Sequence, residues 1–168
     1  MNKKRELLYY TLVLGFLVFL FTVVFLKAGI PGKAETYSVR SGSMAPSIPE
    51  GSLVWVSPSD NYQIGDVITF KFQKNTKDNP RYQTITHRIA GLTQKDNVFF
   101  FITKGEANQA IDGDLVDQKD ILGKVILSIP RLGYLVDLTE DKLSFFLLFF
   151  LPGAGIVLRE LKRLSAII

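Results

Sequence analysis

The segment TYSVRSGSMAPSIPEGSLVWV, Thr36 to Val56, joins two runs of strand-favouring residues, TYSVR and SLVWV, through a polar stretch holding Ser41, Gly42, Ser43, Met44, Pro46 and Pro49. Ser, Gly and Pro break strands wherever a chain must turn, so one reading is a connecting loop and nothing more. The other is that a serine is held at the bend for chemistry. Either way the flanking runs set the fold class, because short segments of Val, Ile, Phe, Tyr and Thr between turn residues recur through the middle of the chain.

They are TYSVR, SLVWV, DVITFKF, TITHRIAGL, NVFFFITK and ILGKVILSI. In VITFKF, Val67, Thr69 and Lys71 fall on one side and Ile68, Phe70 and Phe72 on the other, the alternation of a strand with one buried face. No helical period stands out here. The expectation is a mainly β domain over residues 33–140, with QKNTKDNPRYQ, Gln73 to Gln83, as a mobile hairpin tip or inserted loop and Lys104 to Asp120 as an irregular acidic stretch. Within SLVWV one of the pairs Leu53 and Trp55 or Val54 and Val56 is expected to face the core. Contact of Trp55 with a membrane interface is the alternative.

Outside that domain the sequence changes character. Leu7 to Leu26 is twenty residues without a charge, enough at helical rise to cross a hydrocarbon layer of roughly 30 Å. Lys3, Lys4 and Arg5 before it predict a cytoplasmic tail, residues 1–6, ahead of a transmembrane anchor, 7–27. A cleaved secretory signal, with Gly32 and Ala34 near the cut, fits less well, because a signal core usually runs only about 7–15 apolar residues. Leu143 to Leu158 is a second uncharged run, followed by Arg159, Lys162 and Arg163. It is read as a second transmembrane helix with a cytoplasmic tail at 159–168; Pro152, Gly153 and Gly155 make a re-entrant segment the competing reading.

Charge and composition narrow the function. The chain carries net +4, yet residues 33–142 hold 13 Lys and Arg against 14 Asp and Glu, so the excess sits in the ends and the middle domain is no nucleic-acid binder. There is no cysteine, which excludes disulfides, thiolate metal sites and a cysteine nucleophile. One histidine, His87, argues against a zinc site of the usual kind. Asp112, Asp114 and Asp117 contain oxygens for calcium, but their spacing does not match an EF-hand. No metal or cofactor is expected.

A serine hydroxyl is a poor nucleophile until a base takes its proton, and histidine is the residue type suited to that work near neutral pH. In TITHRIAG, His87 alternates with the apolar Ile85 and Ile89, which suits either a satisfied core histidine or one in a cleft wall. Taken together, SGSMAP at Ser41 to Pro46, GDVITFK at Gly65 to Lys71, THRI at Thr86 to Ile89 and TKGEANQAID at Thr103 to Asp112 resemble the type I signal peptidases. The resemblance covers nearly the whole chain. The HR pair, where the main bacterial branch has KR, is similar to the branch of the endoplasmic reticulum, archaea and some bacteria.

That resemblance implies a signal-peptidase-like β-fold and a membrane serine endopeptidase that cleaves signal peptides from exported preproteins. It makes Ser43 the nucleophile, His87 the general base and Asp112 the third member that orients the imidazole, with Asp114 competing for that place. It implies an oxyanion hole from the Ser43 backbone N–H and the Ser41 hydroxyl, with Gly42 between them leaving room for substrate. Glu106 stands where the family has Asp and is read as a supporting residue. The substrate is expected to add as a strand to an open sheet edge, and the implied partners are preprotein signal peptides, membrane lipid and possible partner subunits. A plasma membrane is expected ahead of the endoplasmic reticulum. Two alternatives remain: a processing peptidase dedicated to a few surface proteins, and a non-catalytic extracytoplasmic domain that binds peptides.

Overall fold

The structure, a computed structural model, describes residues 3–28, 34–74, 81–95 and 97–165. Most of the expected hairpin tip at Gln73 to Gln83, and the residues around the possible cut at Gly32, lie outside them. The chain divides into two units, residues 28–134 and a second made of residues 1–27 and 135–168.

Among the described residues the first unit is built on seven strands: β1 (Glu35–Ser38), β2 (Leu53–Ser57), β3 (Val67–Lys74), β4 (Arg81–Lys95), β5 (Val98–Lys104), β6 (Val116–Asp117) and β7 (Ile121–Ile129). They form one antiparallel sheet in the order β1-β2-β7-β3-β4-β5-β6. The last strand therefore inserts between β2 and β3, pairing Val56 with Val125 on one side and Ile68 with Lys124 on the other. Six of these strands overlap the runs read from the sequence. β6 lies inside the acidic stretch expected to be irregular; two residues are too few for an alternation to register. The same limit hid the two-turn helix α2 (Leu132–Leu138), which straddles the boundary between the units.

Two apolar clusters hold this unit together. Val39, Met44, Ile48, Val54 and Val56 form one, beside Tyr37, Val67 and Val125. Ile68, Phe70, Ile89, Phe101 and Val116 form the other. In β2 the expectation of a single inward-facing pair gives way to burial of all four residues: Leu53, Val54, Trp55 and Val56 are at most 4% exposed. The strand is interior to the sheet, between β1 and β7, and covered on both faces, so its apolar residues need not alternate. Trp55 packs inside rather than at a surface.

The second unit contains α1 (Lys3–Ala28) and a helical run of α3 (Lys142–Phe145), a π-helical turn (Phe146–Phe150) and α4 (Leu151–Ser165). Two stretches, Glu6–Phe25 and Lys142–Arg163, are long and apolar enough to cross a membrane. The second is longer than the sixteen-residue run because the helix continues past Arg159. Pro152 sits in the first turn of α4, where its missing N–H and its clash with the preceding turn are absorbed by the wider π turn before it. Arg163 donates to the Tyr10 hydroxyl at 2.5 Å and lies 3.3 Å from Glu6, while Arg159 sits 3.4 Å above the Tyr9 ring. The end of α4 thus lies beside the start of α1.

Candidate active site

The segment between β1 and β2 is pinned by its alternate residues. Met44 and Ile48 are 1% and 4% exposed within the first apolar cluster, and the backbone closes on itself where Ala45 N–H donates to Gly42 O at 3.0 Å and Ile48 N–H to Met44 O at 2.8 Å. Burial of Met44 on one side leaves the neighbouring Ser43 turned outward. Gly42 faces open space, so nothing within the protein demands a glycine there.

His87 lies on β4, opposite Ile68 of β3, and is 8% exposed. Its Nε2 is 3.0 Å from Ser43 Oγ, and its Nδ1 is 2.6 Å from Asp112 Oδ2. A carboxylate only accepts, so Nδ1 bears the hydrogen, and Nε2 is left to accept the Ser43 hydroxyl proton. The same Asp112 oxygen accepts from Thr103 Oγ1 at 2.6 Å, and the Asp112 backbone N–H donates to Thr103 O at 2.8 Å. Of the two acids weighed for this place, Asp112 meets the imidazole. Asp114 is exposed on the wall of the adjoining cleft.

The turn after β5 holds the backbone of Ser43. Ala107 N–H donates to Ser43 O at 2.9 Å, and a Cβ added to Gly105 would come within 2.7 Å of both Ser43 O and Asn108 Nδ2. Only glycine fits so close to a carbonyl. Glu106 is bound by Ser47 and by the Arg88 guanidinium, which hold its carboxyl below the usual carboxylate range against the opposing effect of burial. Arg88 also donates to Gly65 O at 2.6 Å, tying the turn before β3 to the same network. Ser47, Thr103 and Ala107 were not singled out from the sequence, and Arg88 was noted only as part of the HR pair. Thr103 had a legible signal: it follows Phe101 on the buried face of an apolar strand, and a hydroxyl there needs a partner.

Ser41 Oγ is 3.2 Å from Ser43 Oγ. Beside the imidazole a cleft of about 380 Å³ is lined by Phe70, Phe72, Ile85, Leu115 and Val116, with His87, Thr103 and Asp112 on its wall. Of the three acids considered for calcium, Asp112 is engaged by His87 and Thr103 and Asp117 pairs with Lys119 at 2.8 Å. Among the described residues no group of three His, Asp or Glu converges as a metal site.

A hydroxyl, an imidazole and a carboxylate joined in series by hydrogen bonds is the arrangement of serine hydrolases, found on unrelated folds and recognised by geometry rather than order in the chain. The chain belongs to the signal peptidase family, peptidase S26, whose sequence model matches residues 7–96. It is 38% identical over 87 residues to signal peptidase I W of Bacillus subtilis, covering 50% of this chain and 42% of that protein. To the signal peptidase complex catalytic subunit SEC11 of Metarhizium acridum it is 29% identical over 113 residues, 61% of this chain and 62% of the relative. To the SEC11 subunit of Ogataea parapolymorpha it is 28% identical over 138 residues, 73% and 77%. The chain thus spans less than two thirds of the length of the first two relatives.

Proposed function

We propose that this protein is a membrane-anchored serine endopeptidase that removes signal peptides from exported preproteins. The observation that carries the reading is the Ser43–His87–Asp112 series of hydrogen bonds in a chain of the signal peptidase family. His87 Nε2 takes the Ser43 proton as Oγ attacks the scissile carbonyl carbon, and the carbonyl π electrons move to oxygen. The Ser43 N–H and the Ser41 hydroxyl stabilise that oxyanion, a contribution of about 3 kcal/mol per donor in comparable sites. Asp112 holds the imidazolium. His87 then gives the proton to the departing amine of the mature chain, leaving an acyl-enzyme on Ser43. Water, deprotonated by His87, releases the signal peptide and restores the serine.

The open edge of β4 supports substrate entry by strand addition. Among the described residues β4 pairs with β5 only from Arg88 onward, so residues 83–87 pair with β3 alone and keep their other edge unpaired beside His87. The two apolar helical stretches, with Lys3 and Lys4 before the first, Arg159, Lys162 and Arg163 at the end of the second, and Arg163 meeting Glu6 and Tyr10, support a topology in which both termini are cytoplasmic and the β domain extracytoplasmic. A reporter fused after residue 168 is then cytoplasmic; an external one would overturn this topology. The SEC11 relatives are named as catalytic subunits of a complex, which supports partner subunits for this chain too.

The test is cleavage of a model preprotein by the purified full chain in detergent, wild type beside Ser43→Ala, read by product mass. A single cut after a small residue, absent in Ser43→Ala, is expected. Binding without cleavage by both would point instead to a peptide-binding domain. Several unrelated preproteins cut at similar rates would separate a general enzyme from a dedicated one.

A further inference from the structure

We propose that Thr103 is a positioning residue of the reaction: its buried hydroxyl fixes the Asp112 carboxylate, and through it the tautomer and aim of His87. The inference rests on the serine-peptidase reading above.

Asp112 follows β5 by eight residues, directly after the exposed segment from Ala107 to Ile111, so its neighbours before it in the chain do little to hold its side chain still. Thr103 supplies two restraints from the rigid strand. Its carbonyl accepts the Asp112 backbone N–H at 2.8 Å, and its hydroxyl donates to Asp112 Oδ2 at 2.6 Å. Thr103 itself is 0% exposed, and as a β-branched residue in a strand its side chain has little rotameric freedom. The oxygen it binds is the one that accepts from His87 Nδ1, also at 2.6 Å. With that oxygen anchored at a fixed point, the imidazole N–H has one place to aim, and Nε2 is left facing Ser43. Without the hydroxyl, Asp112 is free to rotate toward solvent, and the imidazole loses both its orientation and the reason to keep its hydrogen on Nδ1.

β5 also reaches the nucleophile. Two residues beyond Thr103, Gly105 abuts Ser43 O, and Ala107 N–H binds that carbonyl. One end of one strand therefore sets the relative position of all three reacting groups. Thr103 acts through Asp112, the group that its hydroxyl binds.

The experiment compares Thr103→Val, which keeps the shape and loses the hydroxyl, with Thr103→Ser, which keeps the hydroxyl, and with Thr103→Ala. All are made in the full chain in detergent micelles and assayed on one signal-peptide substrate. Since His87 is the sole histidine, labelling histidine with nitrogen-15 gives a single pair of ring signals. Val and Ala are expected to lower kcat roughly 10- to 100-fold, the loss typical of one hydrogen bond to a charged group, with KM changed less than threefold. In both, the downfield Nδ1–H signal of wild type broadens or moves upfield, and Ser restores rate and signal. Wild-type kcat in Val, no rescue by Ser, or a wild type lacking a downfield Nδ1–H signal would each overturn the proposal. If Val does not fold, Ala against Ser carries the comparison. Cleavage that survives Ser43→Ala would instead overturn the serine-peptidase reading itself.

Discussion

Asp112→Asn isolates the charge at the end of the hydrogen-bond series. The amide oxygen can still accept from both Thr103 and His87 Nδ1, so shape and most contacts survive while the negative charge is lost. When His87 takes the Ser43 proton it becomes a cation, and the 2.6 Å Nδ1 to Oδ2 contact puts the two charge centres about 4 Å apart. The imidazole and carboxylate side chains are 10% and 22% exposed, which calls for a protein-like rather than a water-like dielectric. At an effective dielectric of about 20 that separation is worth about 4 kcal/mol, against about 1 in water. Because the cation exists only after proton transfer, the loss falls on kcat, about a thousandfold, with KM little altered. The assay is steady-state cleavage of a signal-peptide substrate by the full chain in detergent, with thermal unfolding measured alongside. Asp114→Asn, at the exposed acid, is the control and is expected to stay within threefold of wild type. A kcat within tenfold of wild type in Asp112→Asn would refute the argument, and loss of activity in Asp114→Asn would hand the role to that residue.

Gly105→Ala drives a methyl group against Ser43 O and Asn108, so it is expected to displace the nucleophile and lower kcat about a hundredfold, more than it lowers the unfolding temperature; unchanged kcat would show that the turn yields at no catalytic cost. Glu106 gives a pH dependence of stability. Its carboxyl titrates below its usual value of about 4.5, so its contribution is present above that pH and is lost as the pH falls through the lowered value. Between pH 6 and pH 3 the unfolding temperature of wild type should therefore drop further than that of Glu106→Gln, and equal drops would mean the network with Ser47 and Arg88 adds nothing.

The candidate site positions were legible where the signal is local. A serine at a turn between strands and a lone histidine alternating with isoleucines are patterns of neighbouring residues, and so are two uncharged runs flanked by basic residues. Strand alternation in VITFKF is only partly kept: Ile68, Phe70 and Phe72 meet one apolar cluster, but on the opposite side Thr69 is 0% exposed and Val67 packs against the other cluster. It failed for SLVWV because interior position in the sheet is a property of the pairing order, and that order brings in β7 from about seventy residues away.

Choice among similar side chains was not legible from residue patterns alone and came from the family resemblance. Ser43 and His87 are 44 residues apart, and His87 and Asp112 are 25. Asp112 and Asp114 differ by one intervening glycine and are equivalent as sequence. What separates them is the Asp112 N–H bond to Thr103 O, which turns one carboxylate toward the imidazole and leaves the other at the surface. Glu106 was noticed, but its partners Ser47 and Arg88 lie on a loop and a strand that meet only once the sheet has closed. The amino-acid sequence by itself determined six of the strands found among the described residues, the apolar helices and the kinds of group available for catalysis, because each depends on residues within one element. Only the tertiary structure decided which hydroxyl, imidazole and carboxylate meet, because hydrogen-bond geometry within a few tenths of an ångström depends on where separate strands end.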